Sequence, residues 1–306
     1  MKVKKLATNG FSNASTAAPA PPAAHKAIVL KLKPNGLLNS SRRLTDEVLK
    51  KQALNHRAAT AAATLQPENL FSNHLLKHLS GNNLARLSPY LESVSLVGGE
   101  ELNRPGEPID YVYFPEEATV SQFQVLSDGS TAEIVMVGRE GAVGLDAIFG
   151  ARAPSFWTQT ITPGAAVRVR AEILKEEFQR SSRLQALLLG YVNSYVALIS
   201  QRVSCNIRHV AEARFCTWLL MLRDRTPGDE LRLTQEQIAA CLGINRPTVT
   251  TFAKTMKEDG LIEYARGRIR IRNRRRLEAA ACECYATVKS YLPDEPLNVE
   301  AMNAKR

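Results

Sequence analysis

Residues 233–262, LTQEQIAACLGINRPTVTTFAKTMKEDGLI, contain the pattern that decides the fold of this chain. Thr234, followed three residues later by Gln237, forms a capping-box pattern and predicts the start of a helix. Gly243 predicts the end of that helix, because glycine adopts the left-handed conformation of a tight turn without strain. The stretch therefore begins with one short helix and a turn.

A second helix follows the turn. Asn245 is suited to cap it, and Pro247 falls in its first turn, where the missing amide proton costs nothing. Val249 and Phe252 give it an apolar face, and the small side chain of Ala239 on the first helix lets the two helices cross closely. This spacing is typical of a helix-turn-helix.

The residues beyond the apolar face distinguish a DNA-binding motif from a helical hairpin that merely packs. The second helix leaves polar and basic side chains off its apolar face, where they can contact base edges and phosphates. Two predicted strands, Leu261–Tyr264 and Arg268–Arg272, then form a hairpin around residues 265–267. Residues 240–276 contain ten Lys or Arg and three Asp or Glu, a local net charge of +7. A helix-turn-helix with a basic wing binds duplex DNA. The predicted DNA contacts are Thr234, Gln235, Asn245, Arg246, Thr248, Thr250, Thr251, Lys254, Arg266 and Arg268.

Length and composition agree with this class of function. The 306 residues suffice for two domains, and the formal net charge of +10 suits a polyanionic partner. No apolar run approaches the roughly 18 residues of a membrane helix, so we expect a soluble, cytoplasmic protein without a membrane partner. The five cysteines are odd in number and scattered, which favours reduced thiols over a disulfide framework.

The sequence contains two pairs of closely spaced residues of metal-ligating type. Cys282 and Cys284 are too closely spaced and too isolated for a zinc site, so we interpret them as ordinary helix residues. His74 and His78 are four residues apart but lack a third ligand, and we interpret them as solvated helix residues. The sequence therefore predicts no metal site and no cofactor.

The first 66 residues are predicted to be a basic and mostly disordered extension. The first 45 residues hold eight Lys or Arg and no Asp or Glu, and they include the low-complexity run ASTAAPAPPAA. A transit peptide fits this composition as well as a flexible tail does. Residues 44–65 have a loosely helical pattern.

Residues 67–172 are predicted to be a small antiparallel β domain. Helical spacing over residues 68–91 gives way to short strands separated by Gly-rich turns. The predicted strands are Tyr111–Phe114, Val120–Val125, Thr131–Val137 and Ala165–Arg170.

Residues 173–208 return to a helical period and have two apolar stripes. One stripe consists of Leu184, Leu188, Tyr191, Tyr195 and Leu198, and it can pack on the β domain of the same chain. The other has a heptad spacing that suits a second copy of the helix. Burial of both stripes within a monomer is the alternative. The predicted dimerisation residues are Leu189, Val192, Val196, Ile199 and Val203.

Four segments complete the pattern: RPGEPIDYVYF (104–114), MVGREGAVGL (136–145), VAEARFCTWLL (210–220) and RGRIRI (266–271). With the opening stretch, they resemble the Crp/Fnr family of bacterial transcription regulators over roughly residues 70–280. The resemblance implies an α+β fold with an N-terminal antiparallel β-roll (cyclic-nucleotide-binding-like), a long dimerisation helix and a C-terminal winged helix-turn-helix. It implies a winged-helix domain at 209–276, followed by a C-terminal helix and tail at 277–306. It also implies a homodimer, double-stranded DNA and RNA polymerase as partners.

The sequence departs from the family at both expected binding sites. Arg246 matches the arginine with which the family contacts guanine, but Pro247 and Thr251 replace a frequent glutamate and a second arginine. In the sensor segment GAVGLDAIFGARAPSFWTQ, Leu145 lies near the position of the glutamate that binds cyclic AMP. Apolar side chains would desolvate a phosphate, which argues against a cyclic nucleotide. No cysteine precedes Cys205, which argues against an iron–sulfur cluster.

We therefore predict a sequence-specific, homodimeric transcription regulator that binds a near-palindromic operator and responds to a signal at the β-roll. The alternative is a ligand-binding regulatory module that acts on a protein partner and has a degenerate DNA-binding domain. An enzyme is not predicted, because none of the common catalytic motifs is present.

Overall fold

The computed structural model describes residues 71–291. The predictions for the extension at 1–66, for a helical pattern at 44–65 and for the tail beyond residue 291 lie outside these residues. Within the described part of the chain, no helix is both long and apolar enough to cross a membrane.

Two antiparallel sheets form the amino-terminal domain. One has three strands in the order β1-β7-β3, and the other has four in the order β2-β6-β4-β5. Two short helices precede them. The elements are α1 (His74–Lys77), α2 (Gly81–Leu87), β1 (Glu92–Leu96), β2 (Glu101–Asn103), β3 (Tyr111–Pro115), β4 (Thr119–Val125), β5 (Thr131–Val137), β6 (Trp157–Thr162) and β7 (Gly164–Arg170). The predicted antiparallel β-roll is confirmed.

Three strands of this domain, β1, β2 and β6, were not predicted from the sequence. Their sequences ESVSL, ELN and WTQTIT lack a long apolar run. Pairing explains their conformation: β6 lies between β2 and β4, so its backbone bonds are satisfied on both edges. Pairing with partners distant in the chain therefore determines the extended conformation of these strands more than local sequence preference does.

The predicted single helix of residues 173–208 is wrong in its first part. Two helices are present, α3 (Ala171–Arg180) and α4 (Ser182–Arg208). Ser181 is extended, and its side chain accepts a hydrogen bond from the amide of Leu184, so it caps α4. The long helix thus begins at Ser182.

The carboxy-terminal domain is a helical unit with a three-stranded sheet in the order β8-β10-β9. Its elements are α5 (Ala211–Arg225), β8 (Glu230–Arg232), α6 (Gln235–Leu242), α7 (Arg246–Glu258), β9 (Ile262–Ala265), β10 (Arg268–Ile271), α8 (Arg274–Ala280) and α9 (Cys284–Tyr291). Its core surrounds Phe215 and Trp218, both fully buried. Phe123, Met136 and Ile161 of the β-roll belong to the same apolar cluster, so this domain packs on the four-stranded sheet.

Candidate nucleic-acid interface

Helices α6 and α7 have the geometry expected of a helix-turn-helix. The capping box is complete: the Thr234 hydroxyl accepts from the amide of Gln237, whose side chain accepts from the amide of Thr234. Gly243 has a φ of 63°, the left-handed conformation that the turn requires. Asn245 caps α7 by accepting from the amide of Thr248 at 2.9 Å.

The apolar face of the motif is buried as predicted. Ile238, Ala239 and Val249 lie in the core, and Phe252 is partly buried against it. Because Ala239 presents only a methyl group, the backbones of α6 and α7 can approach closely. The packing of α6 against α7 therefore leaves the polar face of α7 directed outward.

Most of the predicted base-contacting residues lie on that outward face. Arg246, Thr250, Thr251 and Lys254 are exposed. Arg246 is in the first turn of α7, and its Nη1 lies 2.9 Å from Glu236 Oε1 on α6. A bidentate contact with a base would either release this carboxylate or use Nη2 and Nε, which the ion pair does not engage.

The threonine hydroxyls already donate hydrogen bonds within the protein. Thr250 donates to Gln235 Oε1 at 2.8 Å, and Thr251 donates to the carbonyl oxygen of Pro247 at 3.1 Å. Thr248 donates to Asn245 Oδ1 at 2.6 Å. These hydroxyls can still accept, and their methyl groups can contact thymine. Thr234, Asn245 and Thr248 thus have capping roles in addition to any contact with DNA.

The wing is a tight hairpin of β9 and β10. Ala265 pairs with Arg268, so the loop consists of Arg266 and Gly267 alone. Both have positive φ, 50° and 75°, as the first and second positions of a type I′ turn require. Arg266 and Arg268 are exposed at the tip. The third strand, β8, was not predicted; it pairs with β10 and supplies Glu230, which lies 3.8 Å from Arg268.

Not all of the basic residues after the wing are available to DNA. Arg274 forms ion pairs with Asp224 at 2.7 Å and with Glu278 at 2.9 Å. Arg276 donates to the carbonyl oxygen of Asp259 at 2.8 Å. These two arginines hold α8 on the domain, so the basic edge is concentrated at the hairpin.

The long helix α4 separates its two predicted stripes. Leu184, Leu188, Tyr191 and Leu198 are buried within the chain. The heptad members Leu189, Val196 and Val203 are 52%, 54% and 54% exposed. Val192 and Ile199, between them, are partly exposed. An apolar seam along α4 is therefore left without cover in the described chain.

The carboxy-terminal domain is joined to the β-roll by buried polar contacts. The Glu133 carboxylate of β5 accepts from the indole nitrogen of Trp218 at 3.1 Å and lies 3.5 Å from the Arg202 guanidinium of α4. Arg225 of α5 forms a second buried ion pair, at 2.6 Å, with Glu140 of the segment MVGREGAVGL. Three parts of the chain thus meet at Glu133.

The interior of the β-roll contains buried polar side chains beside its apolar cluster. Gln122 accepts a hydrogen bond from the Tyr195 hydroxyl of α4, and Thr158 lies beside Gln122 in the register of β4 and β6. Asn103 pairs with Thr158 in turn. Among the described residues, Asn103 Nδ2 and the hydroxyls of Thr158 and Thr160 are buried without a hydrogen-bond partner.

The sensor segment offers little to a phosphate. Leu145 is buried in an apolar cluster, and Arg152 is exposed. Arg104, which the sequence reasoning overlooked, lies 5.4 Å from the centre of the Trp157 ring. Its guanidinium also bonds Glu101 at 2.5 Å, so its charge is already compensated.

The interpretation of Cys282 and Cys284 as an isolated pair is wrong. Cys205 and His209, at the end of α4, bring their ligand atoms within 4.8 Å of both thiols. The two halves are more than 70 residues apart in sequence, so no local spacing could join them. His78, by contrast, places its Nδ1 2.5 Å from the carbonyl oxygen of His74 in its own helix.

The β-roll, the long helix and the winged helix-turn-helix together give this chain a fold similar to that of solved Crp/Fnr transcription regulators. Residues 213–280 match the family model of the Crp-like helix-turn-helix domain. The chain is 23% identical over 178 residues to the global nitrogen regulator of Synechocystis sp., an alignment that covers 55% of this chain and 79% of that protein. The matched protein is a regulator by its name.

Solved structures share the fold. FixK2 from Bradyrhizobium japonicum superposes with a TM-score of 0.55 at 20% identity, covering 63% of this chain and 98% of that one. The c-di-GMP responsive global regulator CLP of Xanthomonas campestris gives a TM-score of 0.53 at 16% identity, covering 63% and 100%.

Proposed function

We propose that this chain is a homodimeric, sequence-specific transcription regulator that acts in the cytoplasm on a near-palindromic operator. The observation that carries the proposal is the outward face of α7, which begins with Arg246 and is flanked by the exposed wing arginines. An arginine in this position can form the bidentate contact with guanine that is the commonest specific contact in protein–DNA complexes.

The exposed seam of α4 supports the homodimer. An apolar stripe of heptad spacing is the usual surface of a helix pair, and burying it against a second copy would remove Leu189, Val196 and Val203 from water. In a two-fold dimer the two α7 helices would enter major grooves one helical turn apart, about 34–36 Å. The operator would then contain two related half-sites.

Modulation by a signal is supported by the unpartnered polar groups inside the β-roll. Asn103, Thr158 and Thr160 could bind a neutral, hydrogen-bonding effector better than a phosphate, because no uncompensated cation accompanies them. The contact with RNA polymerase that the resemblance implies would use the exposed surface of the bound dimer.

Selection of random duplexes by the full chain tests the proposal. We expect enrichment of a two-fold symmetric sequence, bound with a steep dependence on salt. Recovery of duplexes without any shared sequence would contradict sequence-specific binding. Sedimentation of the same preparation reports whether the chain is a dimer.

A further inference from the structure

Four side chains of metal-ligating type converge where the long helix meets the DNA-binding domain. Cys205 lies in the last turns of α4, and His209 is the residue that ends this helix. Cys282 precedes α9, and Cys284 is its first residue. One ligand atom from each lies within 4.8 Å of every other.

We propose that Cys205, His209, Cys282 and Cys284 form a tetrahedral zinc site. Zn–S bonds of about 2.3 Å and Zn–N bonds of about 2.0–2.1 Å require S···S edges of about 3.8 Å and S···N edges of about 3.6 Å. The Cys205 and Cys282 sulfurs are 3.6 Å apart, and Cys284 Sγ lies 3.4 Å from His209 Nδ1. Two of the six edges are therefore already close to these values, and the other four are no longer than 4.8 Å.

The kinds of donor select the metal. Three thiolates and one imidazole suit zinc, whereas magnesium and calcium require oxygen ligands. All three sulfurs are buried, and four protein ligands leave no open position for a substrate. The site would be structural and not catalytic.

Surrounding side chains hold the ligands in place. His209 Nε2 lies 3.1 Å from Glu283 Oε1, an arrangement that orients the imidazole with Nδ1 toward the metal position. The Gln201 amide donates to Cys284 Sγ at 3.0 Å, and the Thr217 hydroxyl lies 3.0 Å from Cys282 Sγ. Hydrogen bonds of this kind stabilise thiolates, so the cluster differs from thiols that merely fill an apolar gap.

The position of the site gives it a consequence for the regulator. Two ligands precede the junction at Val210 between α4 and α5, and two follow the entire winged helix. Zinc would therefore clamp the carboxy-terminal segment to the end of the long helix. Loss of zinc would loosen the orientation of α7 relative to the long helix.

Metal analysis of the full chain, purified under reducing conditions, tests the proposal. We expect one zinc ion per chain, and Co²⁺ added to the metal-free protein should give the intense visible bands of tetrahedral, thiolate-ligated cobalt. The variants Cys205→Ser and Cys282→Ser should lose both. Cys241→Ala removes a buried thiol outside the cluster and should retain both.

A gentler variant guards against failure of these proteins to fold. Glu283→Gln keeps all four ligands and should weaken zinc binding about 10- to 100-fold in a chelator competition. Chelation should lower the melting temperature of the unmodified chain but not that of Cys282→Ser. Three results would overturn the proposal. They are a purified chain without stoichiometric zinc, a Cys205–Cys282 disulfide in place of the metal, and an octahedral Co²⁺ spectrum.

Discussion

The strongest test of DNA recognition is the replacement of Arg246 by alanine. The Arg246 side chain is 63% exposed, and its ion pair with Glu236, itself 45% exposed, lies on the protein surface. Such a pair contributes at most about 1 kcal/mol to folding. Arg246→Ala should therefore leave the fold and its stability nearly unchanged, so a change in DNA binding can be attributed to the contact.

The expected loss follows from the proposed two-fold dimer. A bidentate contact with guanine contributes about 1–3 kcal/mol, and the proposed operator has two half-sites. The variant should therefore lose about 2–6 kcal/mol, or about 30-fold to 10⁴-fold in affinity. Where the contact uses Nη1, the ion pair with Glu236 opens on binding and offsets part of this contact. Glu236→Gln should accordingly strengthen binding by up to about 1 kcal/mol per half-site.

Fluorescence anisotropy on a selected operator, and on copies with one base pair changed in each half-site, measures both effects. Arg246→Ala should lose discrimination at one base pair of each half-site and keep it at the others. Arg180→Ala, an exposed arginine of α3 in the other domain, serves as the matched control. An equal loss on every duplex would show that Arg246 contacts only phosphate and would refute the reasoning.

Three other changes test the remaining surfaces. Replacement of both Val196 and Ile199 by Asp should give monomers in sedimentation. Val97→Asp, at an exposed valine outside the seam, should leave the mass unchanged. A dimer in both variants would place the interface elsewhere. Arg266→Ala should weaken binding to all duplexes alike and lower the slope of log affinity against log salt by about one per contact, and a loss confined to one base pair would contradict a phosphate contact. Glu133→Ala leaves the Arg202 charge buried without its partner, so it should reduce the free energy of unfolding in urea by about 3–5 kcal/mol. Glu133→Gln should cause a smaller loss. A loss below about 1 kcal/mol for Glu133→Ala would show that the pair does not hold the domains together.

Local signals explain what the sequence could predict. Thr234, Gln237 and Gly243 act within one or two helical turns, so their capping roles are visible without tertiary information. The heptad on α4 is also local, and its exposed members are those that the spacing assigned to a partner. The wing was predicted from the turn residues Ala265, Arg266 and Gly267 between two short strand patterns.

Long-range pairing explains what the sequence could not predict. The break at Ser181 was missed because the apolar period continues across it, while the cap that forms there depends on a single serine. Strand β6 depends on two partners far along the chain. The cluster around Cys282 requires the end of α4 to return to the segment before α9, and only the fold brings these together.

The end of α4 connects the dimer seam to the DNA-binding domain. Val203 of the seam is exposed, whereas its neighbours Arg202 and Cys205 face the same chain. Arg202 contacts Glu133 and the carbonyl oxygen of Cys241 in α6. Cys205 contacts Cys282. Because a helix transmits rotation along its axis as a rigid rod, a change in packing at the seam would move both anchors together. The winged helix would then follow the dimer interface, and the spacing of the two α7 helices would depend on how the long helices cross.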